Sequence, residues 1–297
     1  MAITHFLFRR LKLNARSVFL VTTSIFLVSV LHSQENTLLY KVTSLKSRQH
    51  SYIFGTMHVM SPDNFFFPKE IEDYLLECDG LCTEIKGISK QKVKPELLFD
   101  LSKPLQDYCT QSQWDSIISW AETNLLMNRS NFEENFQFAR PFVLMQLMAQ
   151  NYLPSVHKSH EIELEKIASQ GLIGQFGLES VDEQLNLFNK IDYPTQIEGL
   201  MMQLAELETS REEFNLMEQF YVSQNMDSLC SLTESDSFEA FREELLVNRN
   251  IKWILKMKRL MRNQSIFFAV GAGHLCGEEG LIQLLKNEGY YIEAIKL

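Results

Sequence analysis

Two loops of one design stand at opposite ends of the chain: Gly55-Thr56-Met57-His58 and Gly271-Ala272-Gly273-His274. The first leaves the apolar run 51–54 (SYIF). It is followed by Pro68, a helical pattern over 69–78 and, after Asp79-Gly80, a short buried strand at 81–85 (LCTEI). The second leaves 266–270 (IFFAV), and is followed by a predicted helix over 278–287, a break at Gly289 and a closing strand over 290–295. A unit of strand, GxxH loop, helix and strand, repeated this far apart, predicts two related half-sites meeting in one sheet. The strand at 51–54 also has a hairpin partner at 38–43 (LLYKVT), across the polar stretch 46–50.

The region between the units, about 94–262, reads as mostly helical. Helices are expected over 114–127, 141–152, 160–169 and 238–261. One short strand is expected at 175–178, and Ser180 with Glu183 forms a capping box opening the next helix. No stretch rich in Gly, Ser or Pro separates these pieces. The expectation is therefore one α+β domain over 34–297, with a central mixed sheet and a large helical insertion.

Residues 1–33 differ in kind. Arg9, Arg10, Lys12 and Arg16 precede the apolar run 17–31 (SVFLVTTSIFLVSVL), which is short for a membrane span and ends at polar His32-Ser33-Gln34. This reads as a secretory signal peptide, with an uncleaved N-terminal anchor as the alternative. On either reading the globular part is exported, periplasmic or secreted, and meets a membrane only through this segment. Without it, the chain loses four of its 28 basic residues and none of its 38 acidic ones, leaving a formal charge of −14. Such a surface repels phosphate backbones, so a nucleic-acid partner is not expected. The five cysteines, Cys78, Cys82, Cys109, Cys230 and Cys276, are permitted to bridge in an oxidising compartment, for example Cys109 with Cys230. The Cys78-x-x-x-Cys82 spacing reads as a helix end followed by a buried strand rather than as a metal site.

The chemistry-bearing candidates follow from the repeated loops. A glycine three positions before a histidine, at a strand exit, allows a tight turn and a close approach of backbone. His58 and His274 can then project at the sheet edge. Glu84 lies in the otherwise apolar strand LCTEI, where a carboxylate needs a metal or a cation such as Arg140 or Arg249. Its counterpart in the second unit, Glu293, alternates towards solvent. Two histidines and a glutamate suit a divalent metal with open positions for water. They equally suit a metal-free arrangement, with one histidine as general base, the other as electrophile and the glutamate fixing a tautomer.

The segment from residue 38 to Glu84, together with the late G-x-GH loop, resembles the TraB/GumN/Tiki family. That family has a GT-x-H loop, a downstream strand glutamate and a second GxxH loop in this order. Arg140-Pro141, Glu161 in Ser-His-Glu-Ile-Glu-Leu, Gly177-Leu178-Glu179-Ser180 with Glu183-Gln184, and Val247-Asn248-Arg249-Asn250 match further family elements. At Glu161 many relatives have aspartate, which preserves the charge. The resemblance implies a core like the erythromycin-esterase/ChaN group, and His58, Glu84 and His274 as the catalytic or metal-binding set. It implies Gly55, Gly271, Gly273, Arg140, Glu161, Glu179, Arg249 and Asn250 as supporting or substrate-binding residues. It further implies a peptidase using manganese or cobalt, with zinc a third option, acting on a peptide or protein. A metal-free esterase-like hydrolase is the second reading. A non-catalytic peptide- or haem-binding protein, using the helical insertion and its methionines as a recognition surface, is the third.

Overall fold

The computed structural model describes residues 36–44, 49–234 and 240–297. The expected signal segment 1–33, most of the hairpin loop and the first two residues of the predicted helix 238–261 lie outside the described residues. Among the described residues six strands form one mixed sheet: β1 (Leu39–Ser44), β2 (His50–Thr56), β3 (Gly80–Ile85), β4 (Gly174–Glu179), β5 (Ile266–Gly271) and β6 (Tyr290–Ile295). Their order is β4-β3-β5-β2-β1-β6. β1 pairs antiparallel with β2 and with β6, whereas β2–β5, β5–β3 and β3–β4 are parallel.

The two sequence units interleave in this order. The first runs from β2 over α1 (Lys69–Leu76) to β3 and leaves a gap that β5 fills. The second runs from β5 to β6 and steps over β2 and β1. The apolar patterns account for the positions. The run IFFAV in β5 has no alternation because both of its faces are covered at the centre of the sheet. β6 alternates, exposing Tyr291 and Glu293, because it is an edge strand.

Further helices are α2 (Pro95–Leu98), α3 (Gln111–Asn124), α4 (Arg129–Phe136), α5 (Pro141–Ala149), α6 (His160–Gln170), α7 (Val181–Phe188), α8 (Tyr193–Ala205), α9 (Leu207–Val222), α10 (Met226–Leu232), α11 (Asn248–Leu260) and α12 (Leu281–Asn287). α1 and α6 pack together; Tyr52 of β2 meets Tyr74 of α1, and Phe54 meets His160 of α6. α11 and α12 pack on each other and reach β4 and β6 respectively. The main core, which includes Phe54, Phe267, Phe268 and Trp253, fills the sheet layers. A second apolar cluster, built on Trp114, Phe132, Leu144 and Leu200, belongs to the helical insertion.

The capping box at Ser180 and Glu183 opens α7 as expected. Several boundaries move for local reasons. α3 starts at Gln111, not 114, because Thr110 and Gln113 form a second capping box. α12 starts at Leu281, not 278, because Gly277 adopts φ 73° and residues 278–279 form a turn. The expected helix at 238–261 contains a π-helical turn, Glu243–Val247, directly before α11.

The cysteine pairing differs from the expected example. Cys230 is bridged to Cys276, while Cys109 is free, as are buried Cys78 and Cys82. Cys230 lies on α10, which packs against the second GxxH loop; this fold-back brings it to Cys276 rather than to Cys109 in the helical insertion.

Candidate functional site

β2 and β5 end level with each other. Thr56 is paired with Gly271 across the two parallel strands, so both GxxH loops leave the same edge of the sheet side by side. The glutamate of the neighbouring β3 completes the group. Glu84 Oε1 accepts the Gly271 N–H at 2.8 Å. His58 Nε2 lies 3.8 Å and His274 Nε2 3.7 Å from that same oxygen. Gly271 is what keeps the space between them open. A Cβ there would stand 3.2 Å from Glu84 Oε1, 3.6 Å from His58 Nε2 and 3.7 Å from the His274 ring. Gly55 serves packing instead, since its Cβ would meet Leu275 at 2.8 Å and the Ala272 backbone at 3.2 Å.

Both histidines are held from behind. His58 Nδ1 donates to Glu161 Oε1 at 2.8 Å. Glu161 also accepts from the Thr56 hydroxyl and, through Oε2 at 2.8 Å, from Ser159. At His274 the tautomer follows from its neighbour. Asn250 Nδ2 donates to the carbonyls of His274 and Glu279, so its Oδ1 faces His274 and accepts Nδ1–H at 2.7 Å. Each ring therefore turns Nε2 towards Glu84.

Arg249 closes the buried side. Its Nη2 donates to Glu84 Oε2 at 2.6 Å and to Glu179 Oε1 at 2.8 Å, and its Nη1 lies 3.1 Å from His274 Nε2. The guanidinium lies over the Trp253 ring, which also contacts His274, and Trp253 Nε1 donates to Glu179 Oε2 at 3.2 Å. The preceding π turn bears on how consecutive Arg249 and Asn250 both reach His274: Arg249 Nη1 bonds back to the Leu245 carbonyl within that turn.

The electrostatics follow from this packing. Burial alone would raise the Glu84 carboxyl, but His274, Arg249, His58 and the Gly271 N–H outweigh it and hold it at about 2. Burial likewise opposes ionisation of Glu161, and His58 and the hydroxyls override it, keeping the carboxyl well below its usual range. The Glu161 carboxylate lifts His58 to about 9. Burial drives His274 down to about 3, so it is neutral and its Nε2 lone pair faces Arg249 Nη1. Glu179 is raised by burial, against the pull of Arg249. His58 is the open member, its side chain 58% exposed against 4% for His274.

Of the residues expected from sequence, His58, Glu84, His274, Gly271, Glu161, Glu179, Arg249 and Asn250 thus come together. Gly273 lies one step outside, packed so that a Cβ would meet Thr233 at 3.2 Å. Arg140 is elsewhere in the described contacts, 3.9 Å from Asp100 and 3.5 Å from the Tyr193 hydroxyl. Sequence reasoning missed Trp253, Ser159, His160 and Tyr221. Trp253 stands four residues after Arg249, the helical spacing for a shared face, and was readable on that ground. His160 adjoins Glu161; its rings nitrogens lie 2.9 Å from the carbonyls of Met57 and Phe66.

Whether these residues suit a metal turns on donor chemistry and spacing. Two imidazole Nε2 atoms and one carboxylate oxygen are a usual set for a divalent ion, and Nδ1–H donation to outer acceptors is the usual support of histidine ligands. Donors at about 2.1 Å from one ion stand roughly 3.0–3.4 Å apart, slightly closer than the 3.7 and 3.8 Å seen here. Arg249 also takes up the His274 lone pair, and among the described residues no three such side chains stand at coordinating distance as placed. The donor set would suit a divalent ion only once Arg249 withdraws from His274 Nε2 and His58, raised to about 9, gives up its Nε2 proton.

The metalloprotease TIKI2 of Danio rerio is 37% identical over 65 residues, 21% of this chain and 12% of its own length. The metalloprotease TIKI homologue of Nematostella vectensis is 26% identical over 165 residues, 46% of this chain and 35% of its own. TIKI1 of Danio rerio is 26% identical over 145 residues, 39% of this chain and 29% of its own. The chain thus spans about a third or less of these relatives' length. No solved structure matches it. The sequence model of the TraB/PrgY/gumN family matches residues 38–294, nearly the whole described part, and the chain belongs to that family.

Proposed function

We propose that this protein is an exported, metal-dependent peptidase. One observation carries the reading: both histidines have Nδ1 engaged by outer acceptors and turn Nε2 towards a single oxygen, Glu84 Oε1. His58 Nε2, Glu84 and His274 Nε2 would hold the ion, with manganese or cobalt favoured over zinc. When bound, such an ion lowers the pKa of its water and polarises a carbonyl. Glu161 and Asn250 hold the two rings in register, and Gly271 leaves room beside them for a substrate atom. Arg249 balances Glu84 and Glu179 in the buried wall. The exposed flank of His58 is the side open to a peptide chain. The peptide class is drawn from the metalloprotease names of the relatives, and an erythromycin-esterase/ChaN-like core is proposed on the adjacent parallel strands that each end in GxxH. Export is supported by the basic and apolar character of residues 1–33 and by the Cys230–Cys276 bridge.

A second reading has its own observation. The 2.8 Å His58–Glu161 hydrogen bond is that of a general base oriented by a carboxylate, working where His58, raised to about 9, has lost its proton, and it needs no metal. Elemental analysis after loading with manganese, cobalt or zinc, beside peptide hydrolysis, decides between them. About one ion per chain, lost together with hydrolysis in His58→Ala/His274→Ala, is the expected result. Turnover that persists unchanged after chelation supports the metal-free base and overturns the metal-dependent reading.

A further inference from the structure

The two GxxH loops are attached to one helical hairpin, α9–α10, at separate points. Near the end of α9, the Tyr221 hydroxyl donates to the Gly55 carbonyl at 2.7 Å. It also lies 3.3 Å from Nε2 of His160, whose Nδ1 contacts the Met57 carbonyl. Almost one turn earlier, wholly buried Glu218 accepts from the Ser61 N–H, from the Ser61 hydroxyl at 3.0 Å and from Asn64 Nδ2 at 2.7 Å. The backbone on both sides of His58 is therefore tied to α9. From α10, Cys230 is bonded to Cys276, two residues beyond His274, and Thr233 packs against Gly273. The hairpin bend is itself fixed, with Gln224 at φ 53° donating to the Leu297 carbonyl and Asn225 capping α10.

We infer that this hairpin sets the separation and facing of the two histidines, with Tyr221 as the positioning residue for His58 and the Cys230–Cys276 disulfide as the positioning link for His274. A phenylalanine would fill the Tyr221 site equally well, and burying a hydroxyl is unfavourable unless it is bonded. Its bond goes to the first residue of the GxxH loop, and the disulfide ends just past the last residue of the other. The inference rests on reading His58 and His274 as a working pair, but its test does not require turnover.

The full chain, labelled with 15N-histidine and freed of metal by a chelator, gives ring-nitrogen signals for its seven histidines, assigned by single substitutions. Tyr221→Phe is expected to shift the His58 ring signals more than those of any other histidine outside its contact His160. Cys230→Ala/Cys276→Ala is expected to shift those of His274. Ser223→Ala, exposed on the same hairpin, leaves both as in the wild type. If the cysteine variant does not fold, dithiothreitol treatment of the wild type reads the same arm. Wild-type ring signals for His58 in folded Tyr221→Phe protein, and for His274 in folded disulfide-free protein, overturn the inference. An inactive wild type with the expected shifts refutes the peptidase proposal and leaves this one standing.

Discussion

Thr56 and Gly271 are register partners on adjacent parallel strands, and this single pairing brings two loops more than two hundred residues apart in sequence to the same edge of the sheet. Gly271 has φ −50° and ψ 136°, a conformation open to any L-residue, so its glycine is required by the space beside it and not by the backbone. Gly271→Ala is therefore expected to fold with nearly wild-type stability while placing a methyl 3.2 Å from Glu84 Oε1. Metal uptake and hydrolysis should both fall at least tenfold, measured beside the thermal midpoint. Gly55→Ala separates the two effects. Its methyl strikes Leu275 and Ala272 in the core, and overpacking of this kind costs about 1–3 kcal/mol. A Gly271→Ala protein with full activity would show that the gap is not the working space.

Arg249 is buried between Glu84 and Glu179, with a side chain 8% exposed. Removing it leaves two carboxylates without their cation, and Arg249→Ala should lose about 3–5 kcal/mol, the usual cost of breaking a buried pair. Arg249→Lys should recover only part of this, because an ammonium cannot reproduce the fork that spans Glu84 and Glu179 while lying over Trp253. Urea unfolding at neutral pH measures both. Equal stability of the alanine and wild-type proteins would mean that water replaces the guanidinium.

The residues legible in the sequence are those that break a local pattern. Glu84 interrupts an apolar strand, and His58 and His274 end matching loops; each anomaly is local and needs no knowledge of the fold. The interleaving of the two units was not legible, because nothing in β2 or β3 alone says that β5 enters between them. Glu161, Glu179 and Asn250 were reached only through the ordered family motifs, since an acidic residue opening a helix or ending a strand, or an asparagine beside an arginine, is ordinary by itself; Arg249 was reached both that way and as a cation that Glu84 needs. Arg140 was reached the same way, and its described contacts are with Asp100 and Tyr193 instead. Tyr221 and the Cys230–Cys276 bridge depend on how α9 and α10 fold back over both loops, a long-range contact with no periodicity to announce it.

The bridge closes a loop with a sequence separation of 46 residues. Its loss through Cys276→Ser should lower stability by about 2–4 kcal/mol, chiefly by freeing the unfolded chain. Thiol labelling of the native wild type should find half-buried Cys109 first, and slowly, because burial pushes its thiol up to about 11. Cys78 and Cys82, raised to about 12 by burial, should label only on unfolding. Rapid labelling at Cys230 without reductant would contradict the pairing.

In metal-free protein, stability should decline on both sides of neutrality for different reasons. His58 is raised by Glu161 from 6.5 to about 9, so the stability from that pairing is complete below pH 6.5 and is lost as the pH rises through 9. Burial lowers His274 from 6.5 to about 3, so the unfolded chain takes up a proton there first, and stability falls as the pH drops from 6.5 towards 3. Glu84 opposes its own burial through His274, Arg249 and His58, standing at about 2 against an ordinary 4.5, and adds to the acid loss below pH 4.5. Urea midpoints measured across this range with chelator present should show both limbs. Glu161→Gln should flatten the alkaline limb, leaving His58 without the carboxylate that raises it, and should preserve the acid limb set by His274 and Glu84. An alkaline limb of unchanged slope in Glu161→Gln would mean that the pairing at 2.8 Å does not govern His58 in solution.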